Sequence, residues 1–105
     1  MAYRVELTER AARDLDRITH NIFAERSAQA HAWFNRLERL ILSLEERPAR
    51  GTPIPEDPRF RQLVHGRRPN AYRVIYAIDE QSRVVTVLHI RHGRPDAFAL
   101  QDDEA

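Results

Sequence analysis

The chain has 105 residues, a formal net charge of +1 and no cysteine. That length gives one domain with a real core and no room for a second. The absence of cysteine excludes disulfide scaffolds, zinc ribbons and thiol catalysis, and the lack of a long apolar run predicts a soluble, cytoplasmic protein with no membrane attachment.

The small net charge hides an asymmetry. Residues 1–46 hold seven arginines against eight acids, residues 47–100 hold ten arginines against five acids, and the closing "QDDEA" adds three acids. All 17 basic residues are arginine, the side chain that forks onto phosphate or carboxylate and keeps its charge at any working pH. Residues 1–100 therefore read as a single domain and 101–105 as an acidic tail.

In chain order, "YRVEL" (3–7) alternates apolar and polar residues as a half-buried strand does. Thr8 offers an N-cap, and Ala11, Leu15, Ile18 and Ile22 recur at helical spacing, so a helix is predicted from about 8 to 25, with Arg10, Arg13, Asp14, Asp16 and Arg17 on its wet face. Ser27 caps a second helix whose stripe of Ala30, Trp33, Phe34, Leu37, Leu40, Ile41 and Leu44 stops before Pro48 and Gly51. So short a link makes the two helices an antiparallel hairpin. Trp33 is expected in the core, and His20 and His31 in solvent.

"RPARGTPIPEDPR" (47–59) carries four prolines and a glycine and is expected to be an extended loop. Three antiparallel strands should follow: "FRQLVH", "AYRVIYAID" and "VVTVLHIRH", separated by "GRRPN" and "EQSR". The predicted fold is α+β, in the order β-α-α-β-β-β. Its helical hairpin packs on one face of a small, twisted, mostly antiparallel sheet.

Alternation along "YRVIYAID" puts Tyr72, Val74, Tyr76 and Ile78 on one face and Arg73, Ile75 and Ala77 on the other. On the last strand it separates Val84, Thr86, Leu88 and Ile90 from Val85, Val87, His89 and Arg91. If the richer apolar faces both meet the helices, Arg73, His89 and Arg91 project together from the open face. His89 or His92 could then act as acid or base, with Arg73, Arg91 and Arg61 stabilising negative charge. The structural alternatives are a strand-end His92 bonded to backbone and an Arg73 paired with Glu56, Asp79 or Asp96. Arg67 and Arg68 would extend an anion-binding edge. His89 and His92, three apart on a strand, point to opposite faces and lack a completing ligand set, so no metal and no other cofactor is expected.

The order of these elements, "ERAARDLDRI" after the first strand, Pro48 and Gly51 in "P-x-x-G", the "YRVIY" strand and the closing "HIRHGRPD" together resemble the RelE/ParE superfamily of type II toxin-antitoxin toxins. The resemblance spans nearly the whole chain. It implies a small bacterial growth inhibitor bound by a cognate antitoxin, in a heterotetramer or larger assembly. The superfamily divides between inhibition of DNA gyrase, as in ParE-like members, and metal-free cleavage of mRNA on the ribosome, as in RelE-like members. For the nuclease, the resemblance makes Arg73 the phosphate-contacting arginine and Glu56 a candidate general base. Arg91, His92 and Arg94 fall where RelE-like enzymes keep their terminal catalytic residues, and Arg61, His89, Arg94, Arg67 and Arg68 would contact the target. The lysines and terminal tyrosine of some RelE-like toxins are missing, however. The long helical hairpin and the His92-x-x-x-Asp96 spacing resemble ParE, so gyrase inhibition leads and mRNA cleavage is the alternative.

Overall fold

The helical hairpin lies on one face of a five-stranded sheet. The computed structural model describes residues 2–25, 27–66 and 71–92. Its elements are β1 (Arg4–Leu7), α1 (Glu9–Glu25), α2 (Ala28–Leu42), β2 (Thr52–Ile54), β3 (Asp57–His65), β4 (Tyr72–Asp79) and β5 (Val84–His92), with short 3-10 turns at Ser43–Glu45 and Pro48–Arg50. The strand order is β1-β5-β4-β3-β2. β1 runs parallel to β5 and the remaining pairs are antiparallel.

Local chemistry starts both helices where the sequence predicts. The Ala11 N–H donates to the Thr8 hydroxyl at 3.1 Å, and the Ala30 N–H donates to the Ser27 hydroxyl at 3.2 Å. Each bond satisfies one of the donors that a helix start leaves without an intrahelical partner. The apolar stripes then meet the sheet: Ala11, Ile18, Phe34, Leu37, Ile41 and Leu44 form one cluster with Leu63, Val74, Tyr76, Val85, Val87 and Ile90.

Two expectations fail here, each for a visible reason. The segment 47–59 is not a plain loop, because Thr52–Ile54 adds an edge strand and β3 already begins at Asp57. Pro53 is tolerated because an edge strand has one row of backbone groups unpaired in any case. On β5, Ile75 pairs with His89 and Tyr76 with Val87, which leaves Leu88 as a bulge. One extra residue reverses the alternation. Val85 and Val87 face the helices before it, and Ile90 does so after it. No single face of β5 is the apolar one.

Gly51 is fixed by close approach. A Cβ there would stand 2.5 Å from the Gln62 carbonyl oxygen and 2.6 Å from the Tyr76 hydroxyl oxygen. That hydroxyl accepts from the Gly51 N–H at 3.0 Å and donates to the Pro48 carbonyl at 2.7 Å. The Pro48–Gly51 turn is thus anchored on a fully buried β4 side chain.

Candidate functional site

β4 and β5 place Arg73 directly opposite Arg91, and β3 sets Val64 beside Arg73 and Gln62 beside Ile75. Paired residues share a face, so this is the sheet face away from the helices. The tight turn Pro55–Glu56 between β2 and β3 carries Glu56 back over the sheet. Arg73 Nη1 and Nη2 donate to the two carboxylate oxygens of Glu56 at 3.3 and 3.4 Å, and Nε donates to Gln62 Oε1. The Arg73 side chain is only 7% exposed and that of Glu56 21%. Burial pushes the Arg73 guanidinium pKa down, Glu56 pulls it back up, and the like charge of Arg91 pushes it down again. A buried cation beside another cation needs that carboxylate.

Arg73 is therefore on the predicted face, but it is covered rather than solvated. Its partner is Glu56, one of the three carboxylates proposed from sequence. The structure brings Arg73, Arg91 and Glu56 together, and Gln62, which carried no sequence signal, joins them.

The other expected members are placed differently. His89 pairs with Ile75 and so leaves β5 on the same face as Arg91, as expected, but it is 9% exposed and its Nδ1 is 2.7 Å from Asp14 Oδ2. The Ile90 N–H donates to the same oxygen at 3.0 Å. Asp14, expected on the wet face of α1, is only 5% exposed. Beyond Leu7 the β1 partner ends and α1 passes the free edge of β5, so the carboxylate takes over a donor that a neighbouring strand would otherwise satisfy. Burial lowers the His89 pKa despite the raising effect of Asp14, and Arg10 and Arg91 lower it further.

His92 pairs with Tyr72, on the helix side of the sheet. Their rings meet edge-on with centroids 5.0 Å apart. Tyr72 continues to Trp33 at 5.4 Å, and Trp33 to His65 at 4.7 Å. Trp33 is half-buried rather than fully in the core. Arg61 also turns to the helix side, opposite Tyr76, where it donates to the Gly51 carbonyl at 2.6 Å and the Ala49 carbonyl at 3.3 Å. Among the described residues, then, His92 lies on the helix side, and His89, though in register on the Arg73–Arg91 face opposite Ile75, is buried against Asp14. Arg67, Arg68 and Arg94 lie outside the described residues. No group of three His, Cys, Asp or Glu side chains able to hold a metal occurs among the described residues, and no described helix is long and apolar enough to cross a membrane.

Comparison with known proteins adds the family. The model of the ParE toxin of the type II toxin-antitoxin system parDE matches residues 5–97. Among solved structures, the chromosomal ParDE system of Pseudomonas aeruginosa is similar with a TM-score of 0.67 at 20% identity, over 89% of this chain and 98% of that one. The RelBE2 toxin-antitoxin complex of Mycobacterium tuberculosis gives 0.59 at 26% identity, over 89% and 93%. The isolated RelE toxin of Escherichia coli gives 0.59 at 18% identity, over 89% and 86%. No curated protein matches the chain.

Proposed function

The chain belongs to the ParE toxin family of type II toxin-antitoxin systems, and from that premise we propose that it arrests growth by binding DNA gyrase and is neutralised by a cognate antitoxin. The observation that carries the choice of target is that neither described β5 histidine stands open beside the arginine pair: His89 is buried against Asp14, and His92 is on the helix side. Metal-free cleavage through a 2′-hydroxyl requires a base, an acid for the leaving oxygen and cations for the phosphorane, all within hydrogen-bond reach of one phosphate. The open face holds Arg73 and Arg91. Its described carboxylate, Glu56, already spans both terminal nitrogens of Arg73, and His89 is buried against Asp14. An inhibitor needs only a charged, shaped surface, which these residues provide without proton transfer.

The antitoxin partner is supported by the solved assemblies with similar folds, which are toxin-antitoxin complexes. Co-expression with the gene beside its own should yield a stable heteromer and relieve growth arrest. A chain that expresses alone without slowing growth would remove the toxin reading. The nuclease alternative is tested by mapping transcript ends on ribosomes after brief induction, where it requires codon-phased cuts.

A further inference from the structure

The helix side of the sheet carries an open groove of about 1260 Å³ between α1, α2 and the ends of β3 and β4. Three half-buried rings stand together in it: Trp33 lies 4.7 Å from His65 and 5.4 Å from Tyr72 between centroids. The rings are inclined at 57° and 64°, so their faces are not used up in parallel stacking. The His65 Nε2–H donates to the Trp33 carbonyl at 3.0 Å, which fixes the imidazole in place. Arg36, Arg39 and Arg50 also line the groove. Arg36 and Arg39, three apart on α2, are neighbours on one helix face. Burial lowers the His65 pKa, the Trp33 carbonyl raises it and the Arg36 charge lowers it again, which places that guanidinium beside the rings. None of the described lining residues is a carboxylate, and among the described residues none of the three arginines has an acidic partner.

The lining chemistry selects the occupant. A docked amphipathic helix needs an apolar strip, but Asn21, Ser27 and Gln29 line this groove, and Ile18 and Leu40 are the only large aliphatic side chains among its described lining residues. Ring faces interleaved with arginines instead match a nucleic-acid single strand, whose bases stack on the rings while its phosphates meet the cations. The groove is also larger than the roughly 300–1,000 Å³ of a small-molecule pocket, so more than one nucleotide fits. We propose that this groove binds a short single strand of nucleic acid, with bases against Trp33, Tyr72 and His65 and phosphates against Arg36, Arg39 and Arg50. Paired bases have no free face to offer, so a duplex is disfavoured. The site lies on the opposite side of the sheet from Arg73 and Arg91 and does not depend on which target the toxin has.

Trp33 is the sole tryptophan, so its fluorescence reports the groove directly. Titrating the full chain with a single-stranded oligothymidylate of about eight nucleotides should quench it, and a hairpin duplex with the same number of phosphates should bind at least about ten-fold more weakly. Arg36→Ala with Arg39→Ala should weaken binding at least about ten-fold and make the slope of log affinity against log salt shallower by about 1.4, as the loss of two phosphate contacts requires. Arg4→Ala with Arg13→Ala removes the same charge from exposed positions outside the groove and should leave affinity and slope nearly unchanged. Equal weakening by the two pairs of changes would overturn the proposal, reducing the binding to general charge attraction. Quenching by polyglutamate and not by the oligonucleotide would also overturn it, assigning the groove to an acidic protein segment.

Discussion

Arg73 and Arg91 face each other across the β4–β5 ladder, and Glu56 reaches over from the β2–β3 turn to bond both terminal nitrogens of Arg73. Two like charges at one strand pair repel, and the one beneath the turn is shielded from water, so the carboxylate offsets part of that cost. Glu56→Gln should therefore destabilise the fold by about 1–3 kcal/mol, and Arg73→Met introduced with it should cost less than the two single changes summed. Urea unfolding of the four proteins measures the coupling. Strict additivity would mean that Glu56 does not hold Arg73 in solution.

Asp14 ties α1 to the β5 edge through one oxygen that serves both His89 and the Ile90 N–H. Asp14→Ala leaves both donors buried without an acceptor and should cost about 2–4 kcal/mol. Hydrogen exchange gives a local readout: the Ile90 amide should lose protection more than the Val74 amide, which lies within the sheet. Unchanged exchange at Ile90 would show that its N–H has another acceptor.

Gly51→Ala puts a methyl group against a carbonyl oxygen and a hydroxyl that are both fixed by their own bonds. The expected penalty is about 1–3 kcal/mol. Tyr76→Phe removes the hydroxyl that organises the turn and should cost about 1–2 kcal/mol. Thermal unfolding of both variants checks the pair; a neutral Gly51→Ala would require the Pro48–Gly51 turn to shift freely.

Two histidines predict the acid side of the stability curve. Burial lowers the pKa of His65 and of His89 below the usual 6.5, outweighing the Trp33 carbonyl at the first and Asp14 at the second. A depressed histidine pKa means that the unfolded chain binds the proton first, so their contribution is complete above 6.5 and is lost as pH falls from there toward the folded values. Urea midpoints taken between about pH 8 and about pH 5 should fall, and His65→Asn should flatten part of that slope. A midpoint that rises on acidification contradicts the assignment for both rings.

Much of this architecture is legible in the sequence. The caps at Thr8 and Ser27, the two helical stripes and the Tyr72–Ile78 face follow from local periodicity and appear as predicted. What periodicity cannot register is a single inserted residue. The bulge at Leu88 turns Val85 and Val87 to the helices while His89 and Arg91 keep the open face, and no periodicity announces that Asp14 claims the His89 ring. Asp14 reads as a surface charge because its neighbours Arg13, Asp16 and Arg17 are surface charges, and only the end of β1 explains why a carboxylate is wanted there. Arg61 and Arg73 look alike in sequence, both being arginines within strands. One organises a turn through backbone carbonyls and the other meets a carboxylate, a difference set by which face each residue occupies.

The Arg91 end of the open face is proposed to bind rather than to cleave, and purified gyrase offers the direct measurement. Relaxed plasmid, ATP and gyrase are incubated with the full chain, and supercoiling is followed on a gel. The account predicts blocked supercoiling or trapped DNA breaks, weakened by Arg91→Ala, with ribosome-bound mRNA left intact. Undiminished supercoiling together with codon-phased cleavage of ribosome-bound mRNA would contradict it.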